Sequence, residues 1–284
     1  IKFMNFASLK SYAKINLSLR VLKKLKKKHK IETLICFINL YDEIHIKQSD
    51  HKKHEVIFYG EFSKKIPKKN TVTKLLEILD NKKLLKNKKY LIKIKKNIPQ
   101  KSGLGGGSIN VSTILNYLIK INQLNVNLKQ KYQICKKIGS DVLFGLDIKT
   151  SLLNSKNKLI KSNIKVRSNL ILIKPKFGCS TKEIYRDIKF YSKSSFQNIN
   201  KNSLKISNLM RLQNDLEPIA FKQYPILINI KKKLLKLPGI KFARLTGSGS
   251  TLIGFFNNKK DASSGLRKMK KTYNNYWCIL SKTI

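Results

Sequence analysis

The stretch "PQKSGLGGGSI", residues 99–109, is where this lysine-crowded chain turns to glycine, and four of the six residues from Gly103 to Ser108 are Gly. An apolar run at helical spacing follows it directly. A strand, a glycine run and a serine at a helix start present several backbone N–H groups to one point, where the helix dipole favours negative charge. The missing side chains let a phosphate group approach closely. Ser108 could cap the helix, or bind a phosphate or its metal. Two familiar phosphate cradles do not fit. A Walker A loop ends in Gly-Lys-Ser/Thr, and no Lys stands there. A dinucleotide fingerprint needs Gly or Ala where Ser108 sits, and an acidic residue about 20 positions on. From Asn81 through Ser140 there is no Asp or Glu at all. A plain tight turn needs only one or two glycines, so the run points to phosphate.

Asp141 ends that acid-free span, directly after Gly139-Ser140 at an expected helix start. It could be an N-cap, a common use of Asp at such a place. It could equally be a general base or metal ligand beside bound phosphates. Spacing does not choose, and the two roles are compatible.

These residues need elements to position them. "SYAKINLSLRVL" (11–22) reads as a strand carrying Lys14 and Asn16 on one side, followed by a basic loop holding His29. "TLICFINLYDEIHI" reads as one or two strands. A helix is expected from Thr71 to Leu79 with Asn70 as N-cap, then a strand ended by Pro99. The helix after the glycine loop should bury Val111, Ile114, Leu115 and Leu118. A second, Leu128 to Ile138, should end on Gly139 as a C′ residue. Residues 150–165 read as polar and irregular, and the domain boundary falls there, giving domains 1–155 and 156–284. The second half offers a strand at "NLILIKP", a short helix around Glu183 to Ile188, and a surface loop at 192–203. Helices at 207–222 and 225–237, a strand–turn–strand "FARLTGSGSTLIGFF", a helix at 259–271 and a last strand complete it. Strands and helices alternate in both halves, so the class is α+β.

Composition sets outer limits. With 41% apolar residues in 284, the chain can build real cores and is not disordered as a whole. A formal net charge of +46 first suggests a nucleic-acid or membrane-surface partner. The lysines, however, vastly outnumber Arg and are smeared over loops and polar faces, not concentrated on one stripe, which speaks for compositional drift and against a specific nucleic-acid or membrane partner. Cys36, Cys135, Cys179 and Cys278 stand far apart and read as free thiols of a reducing, cytoplasmic compartment. No apolar run approaches the ~18–20 residues of a membrane span. No signal peptide is visible, and Met4 reads as the start residue.

Taken together and in order, "SYAKINLSLRVL", "ETLICFINLYDEIHI", "NIPQKSGLGGGSINVS", "IGSDVLFGL", "NDLEPIAF" and "RLTGSGSTLIGFF" resemble the GHMP-type small-molecule kinases, from about Ser11 to Phe256. "AKINL", His29 and "NDLE" resemble the branch that phosphorylates a cytidine-diphosphate-linked polyol. The resemblance implies a two-domain GHMP kinase fold, with an N-terminal domain like domain 2 of ribosomal protein S5 and a ferredoxin-like C-terminal domain. It implies ATP and Mg²⁺ as cofactors, the metal held mainly through ATP with a possible contribution from Ser108. The ATP phosphates would lie against Pro99, Gln100, Lys101, Ser102, Gly103, Leu104, Gly105, Gly106, Gly107, Ser108 and Ile109, with Lys96 and Asn70 towards the adenine.

The resemblance further implies that Asp141 takes the proton of the substrate hydroxyl beside Lys14. An alcohol is a poor nucleophile at neutral pH, and a carboxylate within hydrogen-bond reach can accept its proton as attack proceeds. An adjacent ammonium would stabilise the developing alkoxide. Asn16, His29 and Tyr185 would hold the substrate, with Tyr185 stacking on cytosine. Two departures stand out. Members of the family carry Asp-Gly-Tyr where this chain has Lys26-Lys27-Lys28, so a second stacking aromatic is missing. Their glycine loop ends Ser-Ser, where this one has Ser108-Ile109. A homoserine- or mevalonate-type kinase would share the phosphate loop without a pyrimidine site. An RNA- or ribosome-binding protein would explain the charge but not the loop. Monomer and homodimer both remain open.

Overall fold

A computed structural model of the chain describes residues 5–26, 28–122, 124, 126–196 and 198–284. The expected start residue, Met4, and Lys27 of the basic loop lie outside the described residues. The described chain separates into two compact units. One holds the residues up to Ala13, Leu40–Gln100 and Gly105–Ile148; the other holds Lys14–Asn39, Lys101–Leu104 and Lys149–Ile284. Two long strands, β1 (Ala7–Lys24) and β2 (His29–Ser49), belong to both, because the chain passes between units at Ala13/Lys14 and Asn39/Leu40.

In the first unit, the Glu43–Ser49 end of β2 pairs antiparallel with β4 (Lys89–Lys95). β4 in turn pairs parallel with β3 (Glu55–Tyr59). The connection from β3 to β4 carries α1 (Thr71–Asn81). This helix starts where the sequence predicts. Asn70 accepts from the N–H groups of Val72 and Thr73, while Thr73 Oγ1 accepts from Asn70 N at 2.9 Å, a reciprocal capping box. Its apolar positions Val72, Leu75, Leu76 and Leu79 recur at 3, 4 and 7 and are all buried. α2 (Gly106–Ile121) does the same with Val111, Ile114, Leu115 and Leu118, each 0% exposed. Every such side chain removed from water stabilises the fold by about 1.5–3 kcal/mol. α3 (Leu128–Ile138) closes this core with Ile134 and Cys135.

In the second unit, the Thr33–Ile35 part of β2 pairs with β5 (Thr150–Leu153), and β5 pairs with β6 (Leu159–Ser162). The region expected to be irregular is therefore largely a hairpin. Its short strands escape sequence patterning because β6 is only partly buried, leaving no clean alternation. A second sheet runs in the order β10 (Trp277–Lys282), β7 (Asn169–Lys174), β9 (Leu252–Phe256), β8 (Ile240–Leu245), every neighbour antiparallel. In chain order that is 4-1-3-2. Helices α4 (Thr181–Arg186), α5 (Ile206–Arg211), α6 (Glu217–Gln223) and α7 (Ile226–Leu235) connect β7 to β8, and α8 (Lys259–Thr272) connects β9 to β10. This is the ferredoxin-like arrangement the resemblance implies.

Two expectations need correction. The helix read over 207–222 is two helices, α5 and α6. Between them Asn214 donates to Leu245 O and Gly247 O, and Asp215 accepts from Val21 N at 2.7 Å. Those polar side chains serve the backbone of neighbouring strands, which the helical spacing could not reveal. Gly139 ends α3, donating to Cys135 O, but its φ of 179° is extended backbone and not a left-handed C′. The chain needs to leave straight into the next turn.

Candidate active site

The first unit carries the start of α2. Gly105 is its N-cap at φ 72°, with no side chain to cap it, so the first N–H groups of the helix have no intrahelical or side-chain acceptor. Ser108 lies inside the first turn and is not the cap, because the helix begins three residues earlier than a serine cap would require. Beside this turn stands the start of α1, where Thr71 Oγ1 donates to Gly107 O at 3.2 Å. The starts of the two helices thus lie side by side, and each carries the partial positive charge of a helix N-terminus.

Beneath the turn is a buried polar cluster. Asp42, 0% exposed in its side chain, pairs with the Lys96 ammonium and accepts from Asn97 N, Ile98 N and Asn110 Nδ2 at 2.8, 2.9 and 3.0 Å. Lys96, expected towards the adenine, is thus committed to Asp42. Asn70, expected alongside it, spends Oδ1 on the α1 cap and Nδ2 on Pro67 O and Lys68 O. Gln100 donates to Phe62 O and Lys64 O at 2.9 and 2.7 Å.

Asp141 stands in the first turn of a 3₁₀ segment, Ser140–Leu146, whose N-cap is Gly139. It is therefore not the cap itself. The turn is fastened to α2: Ser112 Oγ donates to Val142 O at 2.7 Å, and Asn116 Nδ2 to Leu146 O at 3.0 Å. Gly145 makes that approach possible, since a Cβ there would lie 2.5 Å from Ser112 Oγ. Asp141 is in this way held against the helix that Ser108 helps to begin.

The second unit carries Lys14. It is 3% exposed, its ammonium donates to Asn16 Oδ1 at 2.7 Å, and its N–H donates to Leu104 O at 3.0 Å. Asn16 is itself fixed, donating through Nδ2 to Thr33 Oγ1 at 2.9 Å and through its N–H to Thr246 Oγ1 at 3.1 Å. Ser102 and Gly103 lie against the second glycine turn, "TGSGS". Thr251 N donates to Ser102 O at 3.3 Å, and at Gly103 (φ 77°) a Cβ would fall 2.0 Å from Thr246 O. No L-residue other than glycine fits there.

His29 opens β2. Its ring lies 5.2 Å from that of Tyr185 on α4, tilted by 35°, so the structure does bring these two together. Burial and the nearby charge of Lys24 hold the His29 pKa below its ordinary 6.5. A third ring, Tyr191, lies 6.5 Å from His29 at 28°. All four cysteines are buried, with burial pushing the Cys179 thiol up to about 12 and Cys278 to about 11.

Sequence reading missed Asp42, Ser112, Gly145 and Tyr191. Asp42 sits in an ordinary-looking strand, and only the acid-poor surroundings of Lys96 hinted at a partner. Gly145 and Ser112 are visible as residue types, but nothing local couples them.

Comparison with known proteins identifies the family. The family described as GHMP kinases N terminal domain matches residues 70–154, and GHMP kinases C terminal matches residues 195–275. The 4-diphosphocytidyl-2-C-methyl-D-erythritol kinase of Pelagibacter ubique (strain HTCC1062) is 44% identical over 281 residues, covering 99% of this chain and 100% of that protein. The kinase of the same name from Thermodesulfovibrio yellowstonii is 35% identical, with 97% of each chain covered. A crystal structure of 4-(cytidine 5'-diphospho)-2C-methyl-D-erythritol kinase superimposes with a TM-score of 0.76 at 20% identity, over 98% of this chain and 100% of that one. Homoserine kinase from Cytophaga hutchinsonii superimposes with a TM-score of 0.70 at 17% identity, over 100% and 96%. At such identities the two structures speak for the fold.

Proposed function

This chain belongs to the 4-diphosphocytidyl-2-C-methyl-D-erythritol kinases of the GHMP kinase family, and from that premise we propose that it transfers the γ-phosphoryl group of ATP to the 2-hydroxyl of 4-diphosphocytidyl-2-C-methyl-D-erythritol, a step towards isoprenoid precursors outside the mevalonate route. The observation that carries the reading is the uncapped, glycine-built start of α2 with the Asp141 turn fastened to the same helix by Ser112. The first supplies N–H groups for phosphate, and the second supplies a carboxylate for a hydroxyl.

In this reading the N–H groups of Gly106, Gly107 and Ser108 hold the ATP phosphates, with the α1 start reinforcing the field. Asp141 accepts the proton of the attacking hydroxyl as the O–P bond forms, and ADP leaves. Lys14 stabilises the alkoxide as it develops, and Asn16 keeps the ammonium aimed. His29 and Tyr185 hold the cytosine. Among the described residues no group of three or more His, Cys, Asp or Glu could hold a metal ion. Mg²⁺ would be held mainly through the nucleotide, and Ser108, in the first turn of α2, is the residue that could add a protein oxygen to it. When bound, the ion supplies charge neutralisation between the phosphates.

The test is ADP release by the purified protein with Mg-ATP and, separately, the cytidylated polyol, homoserine and mevalonate. Release with the cytidylated substrate alone is expected. Release only with another alcohol would keep the phosphate site and Asp141 but remove His29 and Tyr185 as readers of cytosine. Silence with all three from a folded, ATP-binding protein would refute the reading.

A further inference from the structure

Residues 189–196 form neither helix nor strand, and they run into the stretch 192–203 that reads as a surface loop. The structure ties them down. Ser192 N donates to Val21 O at 2.9 Å, and Arg20 Nη1 donates to Lys193 O at 3.0 Å. Glu32 on β2, only 1% exposed, accepts from Ser194 Oγ at 2.6 Å, Ser195 N at 2.9 Å, Ser195 Oγ at 3.2 Å and Phe196 N at 3.2 Å. A carboxylate is taken out of water only where its oxygens are met by such donors. Here the whole set comes from one surface strap, which is thereby fixed to β1 and β2.

Tyr191 directly precedes the tied residues of that strap, Ser192 to Phe196. Its ring lies 6.5 Å from that of His29 at 28°, and His29 is also 5.2 Å from Tyr185. Yet Tyr191 remains 43% exposed, so it is placed without being buried. A tyrosine held for core packing would bury its ring. One held in place with its face open presents a flat, polarisable surface, the shape on which a nucleobase stacks. We infer that Tyr191 is a substrate-binding residue, stacking on the pyrimidine beside His29 and Tyr185, and that Glu32 is the positioning residue that holds its strap. The inference rests on the reading of His29 and Tyr185 as the cytosine site and adds to it an aromatic from outside the basic loop.

The experiment uses the full chain. Steady-state kinetics with the cytidylated substrate are measured for wild type, Tyr191→Ala and Tyr191→Phe, and CDP is used as a binding probe followed by its cytosine H5 and H6 proton resonances. Tyr191→Ala should raise KM for the cytidylated substrate and Kd for CDP about 10-fold, equivalent to ~1.4 kcal/mol, within the range of one stacked base. Turnover at saturation and KM for ATP should change less than about twofold, and Tyr191→Phe should behave as wild type, because the ring face carries the effect. The upfield shift of H5 and H6 on binding should shrink in Tyr191→Ala. Unchanged KM and Kd in Tyr191→Ala would overturn the inference while leaving the enzyme reading intact. So would a parallel fall of kcat with both substrates, which marks a structural role. A wild-type protein that neither binds CDP nor phosphorylates the cytidylated substrate would overturn both.

Discussion

The buried cluster under the glycine turn that starts α2 yields a prediction with a magnitude. In Asp42→Asn the side chain keeps its shape but loses its charge, and one of its two acceptor oxygens becomes an NH₂ donor. Asp42 has four donors facing it, the Lys96 ammonium, Asn97 N, Ile98 N and Asn110 Nδ2, so at least one would meet another donor. The larger effect is on Lys96, whose side chain is 5% exposed and would keep its charge with no counter-ion. Breaking a buried pair from one side costs about 3–5 kcal/mol. Against a total stability of about 5–15 kcal/mol, that is a large fraction. At about 2–3 °C per kcal/mol for a chain of this size, thermal unfolding followed by circular dichroism should shift down by roughly 6–15 °C. The paired change Asp42→Asn with Lys96→Met should recover much of the loss, since it removes the stranded charge. A shift below about 2 °C in Asp42→Asn, or no recovery in the pair, would refute the claim that this ion pair holds the floor of the turn.

Asp141→Asn should lower kcat by about 10²–10⁴ while the Kd for ATP, measured by calorimetry, stays within about twofold; wild-type turnover would exclude it as the base. Lys14→Met, which preserves most of the buried volume, should reduce kcat by on the order of 10²–10³, and a rise in KM alone would reassign Lys14 to ground-state binding. His29 has its pKa depressed below 6.5 by burial and by Lys24, so the folded protein keeps the ring neutral where the unfolded chain has begun to protonate it. Its stabilising contribution is accordingly present above about pH 6.5 and lost as pH falls through the lower folded value. KM for the cytidylated substrate should be flat from pH 8 to 6.5 and rise only below that, and a titration of the His29 ring by NMR with a midpoint above 6.5 would contradict this.

Much of the architecture was legible because it is written in local terms. Asn70 before an apolar 3-4-7 pattern signals a capped helix, and Val111, Ile114, Leu115 and Leu118 signal another; periodicity and caps act over one or two turns, within reach of any sequence window. The glycine run announces bare N–H groups at a helix start for the same reason, and the absence of any Asp or Glu from Asn81 to Ser140 makes Asp141 conspicuous. The split of the 207–222 region was not legible, because Asn214 and Asp215 break it by bonding to β1 and the turn after β8. The β5–β6 hairpin was hidden by its half-buried faces.

Sequence alone therefore determined the residue types of the candidate site and most of the elements bearing them: a glycine-built gap in side chains, a solitary carboxylate, a lysine and an asparagine two apart on one strand, and a histidine in a basic loop. Tertiary structure decided what those residues touch. It showed that Lys96 answers to Asp42 from a strand 54 positions earlier, that Gly145 and Ser112 fasten the Asp141 turn to α2, that Glu32 ties down Ser194 across 162 positions, and that Tyr191 lies alongside His29. Local propensity has no memory beyond a few residues, whereas buried charges and open ring faces acquire their meaning only when distant segments are packed together.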